Sequence, residues 1–155
     1  PQLKVTTLSE RADAKRLDAL VADADVVLDC SDNFTTRHAI NAACVRHSVP
    51  LVSGAAIRFD GQLAVYDPKD ASSTCYACVF PPDTEFEETR CATMGVFAPL
   101  VGIIGSMQAA EALKLLSGAG DPAVGRLLML DGRKMEWNDI RLPRNPGCTV
   151  CAKPQ

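Results

Sequence analysis

Two patterns that would cradle a nucleotide's phosphates are missing from this 155-residue chain. It contains no G-x-G-x-x-G and no P-loop. A nucleotide site built from these residues alone has no glycine-rich loop. A basic block is missing too. The net charge is −3, from 16 Lys and Arg against 19 Asp and Glu. That balance argues against nucleic acid as a partner. The opening Pro1-Gln2-Leu3-Lys4 lacks the charged and apolar regions of a secretion signal. The longest apolar run, Gly95 to Met107, is too short to span a bilayer, and Gln108, Glu111 and Lys114 follow it. There is no internal repeat and no low-complexity tract. These absences lead us to expect a cytoplasmic protein with neither membrane nor nucleic-acid partners. An initiator methionine is also missing, so we read the chain as part of a longer one.

What is present is a good core and an unusual set of thiols. The apolar content is 47%, enough for one domain. Among 7 cysteines, four fall in matching pairs, Cys75-x-x-Cys78 and Cys148-x-x-Cys151. This spacing lets one tight turn aim both sulfurs at one ion. Two such turns make a closed tetrahedral site of the kind that suits structural zinc. Two redox pairs or two short disulfides are the alternatives. A thioredoxin-type pair opens a helix in a βαβ unit, whereas Pro146-Gly147 precedes the second pair here. Without a secretion signal, metal-bound or free thiols in a reducing compartment fit best.

The periodicity predicts a weak strand over Leu3–Leu8 and a helix over Glu10–Ala24. Val26 to Cys30 reads as a short strand buried on both faces, as in a parallel sheet. A helix from Phe34 to His47 and a strand from Leu51 to Ile57 complete a βαβ unit. Gln62–Asp67 is a further strand after an Asp60-Gly61 turn, forming a hairpin with its predecessor. Pro81 to Arg90, acidic and poor in apolar residues, is expected to be a mobile loop. Ala98–Ser117 is predicted as a long central helix, with Pro99 in its first turn and Gly118 as its stop. Gln108, Glu111 and Lys114 form a narrow polar stripe on it, and Gly102 and Gly105 would admit another element. Leu127–Asp131 and Lys134–Leu142 form a closing hairpin around Asp131-Gly132. The fold class is α/β: a Rossmann-like mixed sheet with flanking helices.

Asp32 and Asn33 stand where a strand ends and a helix begins. Ligands bind outside the carboxyl ends of strands in open α/β sheets, and helix N-termini there favour phosphate. A carboxylate beside phosphate implies an intervening cation, so Asp32 near a nucleotide implies Mg²⁺. The structural alternative is that Ser31 or Asp32 caps the helix beginning at Phe34. Cys91 lies outside the paired thiols. Arg90 beside it, and a helix beginning a few residues later, could depress its pKa and make it a nucleophile; the alternative is an ordinary loop thiol. Cys30 and Cys44 read as small core residues. His38 and His47 read as surface residues, and Arg58 as a solvated arginine that an anionic partner could meet.

In combination these motifs resemble the MoeB/ThiF/HesA family, bacterial relatives of ubiquitin-activating enzymes. The residues that carry the resemblance are Leu28-Asp29-Cys30-Ser31-Asp32-Asn33, Arg37, Asn41-Ala42-Ala43-Cys44 and Pro50 to Ala56. Both cysteine pairs, Cys91, Gly95 to Gly102, and Arg144-Asn145-Pro146-Gly147-Cys148 belong with them. The resemblance implies that residues 1–155 are the C-terminal part of a single adenylation domain whose nucleotide-loop half lies upstream. It implies adenylation of the C-terminal glycine of a ubiquitin-like sulfur carrier, MoaD-like or ThiS-like, with Mg·ATP as co-substrate. The molybdopterin and thiamine branches of the family both have matching segments here. The resemblance places Asp32 at the Mg·ATP position with Asn33 beside it. It puts Cys75, Cys78, Cys148 and Cys151 at structural Zn²⁺, and Cys91 at a thiol that some branches use for a thioester or disulfide with the carrier. It also implies a homodimer. A non-catalytic, zinc-clamped module that dimerises or docks a carrier is the second reading. A dinucleotide-dependent oxidoreductase is the third, and no fingerprint supports it.

Overall fold

A computed structural model describes residues 2–71, 73–84 and 94–152 of the chain. The predicted strand at Leu3–Leu8 does not form. That stretch is irregular, with Leu3 and Val5 exposed. Alternation alone makes no strand where backbone groups find no partner. Helix α1 spans Ala14–Ala22. It starts later than the periodicity predicts because Asp13 takes the N-cap, accepting from the Arg16 N–H at 2.8 Å.

Strand β1 (Val27–Asp29), helix α2 (Phe34–His47) and strand β2 (Leu51–Ile57) form the expected βαβ unit. The two strands run parallel, Leu28 opposite Val52. Asn33 caps α2, its side-chain oxygen accepting from the Thr36 N–H at 2.8 Å. At the far end Ser48 closes the helix in the left-handed region, with φ 54°. Burial of β1 departs from expectation: Leu28 is 41% exposed. The reason is topological, since β1 is an outer strand of the sheet.

Strand β3 (Asp60–Tyr66) pairs antiparallel with β2. Their turn falls at Arg58-Phe59, not at Asp60-Gly61. Arg58 adopts φ 50°, and its backbone is clamped on both sides. Its N–H donates to Gly95 O at 2.9 Å, and its carbonyl accepts from the Phe97 N–H at 2.7 Å. Gly61 therefore lies within the strand. A Cβ there would come 2.8 Å from Ile104 Cδ1, so the glycine serves close packing of the long helix.

Helices α3 (Tyr76–Val79) and α4 (Ala98–Ser117) and strands β4 (Arg126–Asp131) and β5 (Glu136–Arg141) complete the described elements. The last hairpin has a wider turn than the Asp131-Gly132 signal suggests, with Met135 at φ 58°. The sheet has five strands in the order β1-β2-β3-β4-β5, parallel only between β1 and β2. Leu51, Ala64, Tyr66 and Leu127 face Val21 of α1 and Ile40 and Cys44 of α2. Val52, Leu63 and Val65 face Ala112 of α4, while Leu130 meets Leu100 and Ile104 of the same helix. The period of two along β2 and β3 builds both layers. Leu51, Leu63 and Leu100 are fully buried, and each such side chain contributes about 1.5–3 kcal/mol.

Helix α4 is not the enclosed central helix expected, and its polar stripe faces the sheet side. Gln108 and Glu111 are buried, whereas Val101, Leu113 and Leu116 are exposed. Nothing described approaches Gly102 or Gly105. The buried polar groups have partners. Gln108 Nε2 donates to Asp29 O at 2.9 Å and Val52 O at 3.2 Å, and Glu111 Oε2 accepts from the Ala123 N–H at 2.8 Å. By length and mean hydropathy (1.2) α4 passes as a membrane span, but the bonds of Gln108 tie it to β1 and β2.

Candidate functional site

Two groups of residues meet far from their positions in sequence. The first is the cysteine cluster. One turn of α3 separates Cys75, its N-cap, from Cys78, and the Cys78 N–H donates to Cys75 O at 3.0 Å. In the second pair the Asn145 side chain accepts from the Gly147 N–H at 2.9 Å, and Asn145 O accepts from the Cys148 N–H at 3.1 Å. Arg144 ties the second turn to the segment leading into the first, donating to Cys151 O at 2.8 Å and Ala71 O at 2.6 Å. The sulfur separations are 3.8 Å for Cys75–Cys78, 3.7 Å for Cys75–Cys148 and 3.4 Å for Cys78–Cys151. All four sulfurs lie within 4.8 Å of one another. A tetrahedron with metal–sulfur bonds of about 2.3 Å has edges of about 3.8 Å. A disulfide would need about 2.05 Å, and all four thiols are free.

The charge pattern of the cluster is compatible with a cation between the sulfurs. Burial, then the neighbouring thiols, push Cys75 well above the ordinary thiol range. Burial also opposes ionisation of Cys78, but bonds from the Cys75 backbone, Thr74, Asn145 and Cys151 bring it to about 6. Burial and the bond to Cys78 raise Cys151 to about 11. Four crowded sulfurs cannot all ionise without positive charge between them. Asn41 of α2 braces the cluster. Its amide donates to Cys75 Sγ at 3.7 Å and its oxygen accepts from the Tyr76 N–H at 2.9 Å.

The second group lines a cleft of about 740 Å³ outside the carboxyl ends of β1 and β2. Asp32 and Asn33 stand at its rim, with Cys30, Gly54, Arg58 and Gln108 also in its wall. Asp32 is exposed and is not the helix cap; Asn33 holds that position. Neither Ser31 nor Asp32 fulfils the capping alternative, because the helix starts one residue too late for Asp32 to reach it. Cys30 is exposed in the wall, contrary to its reading as core, and its sulfur lies 3.5 Å from Gln108 Oε1. Cys44 is buried as expected, and burial, then Asp29, raise its thiol to about 12. His38 is half-buried, its ring edge-on to Tyr76 at 5.3 Å, and burial lowers its pKa. Cys91, and residues 85–90 of the expected loop, lie outside the described residues.

Sequence reasoning missed three residues as builders of the site: Arg37, Asn41 and Gln108. Arg37 and Asn41 share one face of α2, four residues apart, with Asn33 four residues earlier. Arg37, Asn41 and Gln108 are polar and buried. Polar residues at core-facing helical positions were the available signal.

The family description "ThiF family" matches residues 1–150. The chain is 44% identical over 153 residues to the molybdopterin-synthase adenylyltransferase of Escherichia coli K12, covering 99% of this chain and 61% of that one. It is 46% identical over 151 residues to the sulfur carrier protein ThiS adenylyltransferase of the same organism, covering 97% of this chain and 59% of that one. The chain thus spans about three fifths of the length of these curated relatives. Among solved structures, Escherichia coli MccB with ATP superposes with a TM-score of 0.73 at 20% identity. That match covers 93% of this chain and 44% of that one, and it shows a shared fold. A family match running almost end to end, together with these two relatives, leads to one conclusion: the chain belongs to the ThiF family.

Proposed function

We propose that this chain is the C-terminal part of an enzyme that adenylates the C-terminal glycine of a ubiquitin-like sulfur carrier. The carrier carboxylate attacks the α-phosphorus of Mg·ATP, the bond to pyrophosphate breaks, and an acyl-adenylate forms. The observation that carries this reading is the exposed carboxylate of Asp32 at the rim of the strand-end cleft, beside the N-terminus of α2. The names of the two Escherichia coli relatives support the reaction class and the carrier. Asp32 is the residue that would hold Mg²⁺, whose charge would offset that of the phosphates. Asn33 commits its side-chain oxygen to the cap, which leaves its amide NH₂ to face the nucleotide. Catalysis here is positioning and charge neutralisation, because the nucleophile belongs to the carrier.

Zn²⁺ is the ion we assign to Cys75, Cys78, Cys148 and Cys151, on their sulfur spacing and all-thiol donor set. Its role is to clamp the two turns and leave the reaction to the cleft. Cys91 is the acceptor thiol if the carrier forms a covalent adduct. The exposed apolar side chains of α4 support a homodimer that covers them. The decisive experiment is carrier-dependent ATP–pyrophosphate exchange in the full-length protein. Exchange that stops without carrier supports the reading, and its absence with either carrier type overturns it. In the same assay Cys91→Ser should leave exchange intact and remove any carrier adduct. Light scattering of the full-length protein tests the dimer, which a monomer at micromolar concentration would refute.

A further inference from the structure

A buried ion pair lies beneath the carboxylate at the cleft rim. Asp29 ends β1 and is 2% exposed; Arg37, in α2, is 7% exposed. Asp29 Oδ1 accepts from the Ser31 N–H at 2.9 Å and from the Ser31 hydroxyl at 2.7 Å. Its Oδ2 is buried without a hydrogen bond and faces Arg37 Nη1 at 3.6 Å. Arg37 donates to Ser31 O, to Gly54 O at 2.9 Å and to Ser53 Oγ at 3.1 Å. Both partners therefore grip Ser31, the residue before Asp32, and Arg37 also fastens it to the middle of β2.

Stability does not account for this arrangement. Desolvating two charges cancels much of their attraction, and an apolar pair of similar volume is commonly as stable. A carboxylate oxygen buried without a hydrogen bond adds to the cost. What the pair supplies is direction. The guanidinium is a rigid fork that can meet several acceptors at fixed angles. Here the acceptors lie on the β1–α2 loop and on β2, and their combination fixes the peptide leading into Asp32. On the opposite side Gln108 holds the carbonyls of Asp29 and Val52. The loop is thus held from both helical layers.

We propose that the Asp29–Arg37 pair is a positioning device for Asp32, setting the aim of that carboxylate through the Ser31 peptide without touching the nucleotide. It rests on the reading of Asp32 as the Mg·ATP ligand. The test uses the full-length protein with Arg37→Lys, which keeps the charge and loses the fork. Ser31→Ala, which removes one bond and leaves the pair buried, is the companion variant and decides the matter if Arg37→Lys does not fold. Mg²⁺ is titrated in carrier-dependent pyrophosphate exchange. The concentration for half-maximal exchange should rise about tenfold in Arg37→Lys and less in Ser31→Ala, with the rate at saturating Mg²⁺ largely restored. A merely structural role would lower the rate at an unchanged Mg²⁺ midpoint, and that result overturns the proposal. A second readout needs no catalysis: amide hydrogen exchange of Ser31, Asp32 and Asn33 in nucleotide-free protein should quicken in Arg37→Lys. Unchanged protection there overturns it as well. Normal pyrophosphate exchange in Asp32→Ala would instead sink the reading of Asp32 and take this proposal with it. An Asp32→Ala enzyme that is disabled, beside Arg37→Lys with wild-type Mg²⁺ dependence, would sink this proposal alone.

Discussion

The cysteine cluster and the strand-end cleft are both assembled from distant segments, yet they are encoded differently. Each half of the cluster is complete within four residues. Cys75 and Cys78 share one helical turn, Cys148 and Cys151 a non-helical turn, and only the meeting of the turns spans 73 residues. The cleft has no such local unit. Its floor needs Asp29, Arg37, Gly54 and Gln108 from four elements, and Gln108 lies 79 positions from the carbonyl it holds. Helix α2 serves both, with Asn41 on the cluster and Arg37 under the cleft. A clamp can be written as a motif, whereas a ligand cleft is a product of sheet order.

The sharpest way to break the comparison is to remove the clamp. Cys148→Ser, or stripping the metal with a chelator, should lower the thermal midpoint by on the order of 10 °C, because metal affinity is folding free energy. Elemental analysis of gently purified protein should find one zinc per chain. A metal-free protein with an unchanged midpoint would remove the cluster's structural role. The converse variant at the cleft is Asp32→Ala. Asp32 is exposed and does not cap α2, so the thermal midpoint should hold. Pyrophosphate exchange in the full-length protein should fall on the order of 10²-fold or more, as for loss of a preorganised charge-stabilising group. Near-normal exchange would make Asp32 a solvated loop carboxylate.

Gly54→Ala sharpens the comparison on the packing side. A Cβ at Gly54 would lie 2.3 Å from Gln108 Cδ. Gln108 would have to leave its two strand carbonyls, at a cost of about 1–3 kcal/mol. Urea denaturation measures that cost, and the cluster's metal content should not change. The smallest effect is expected far from both sites. Asp18 bonds His47 Nε2 at 3.0 Å and also Arg46. Burial opposes its ionisation, but bonds from His47 and Arg46 outweigh this and hold its carboxyl below the usual range. A lowered carboxyl pKa stabilises the fold above the unfolded pKa and ceases to do so as pH falls through the folded one. Asp18→Asn should therefore be slightly less stable near neutrality and indistinguishable from wild type in strong acid. A constant difference across that range would mean that ionisation of Asp18 is not the cause.

The sequence by itself determined the elements whose signals are local. The bounds of α2, β2 and α4 follow from capping residues, Pro99, Gly118 and the Pro50 boundary. The cysteine spacing announced a four-sulfur site, and the strand-to-helix switch at Asp32 announced the cleft. Tertiary structure decided what depends on neighbours. It left β1 at the outside of the sheet, so Leu28 and Cys30 are exposed where an apolar run reads as core. It moved the hairpin turn to Arg58-Phe59, because backbone bonds to Gly95 and Phe97 hold Arg58 there, and it gave Gly61 to helix packing. It also turned Gln108 and Glu111 of the α4 stripe inward. Periodicity tells which residues share a face, but not whether that face meets water or strand carbonyls such as those of Asp29 and Val52, and those carbonyls make a buried glutamine favourable.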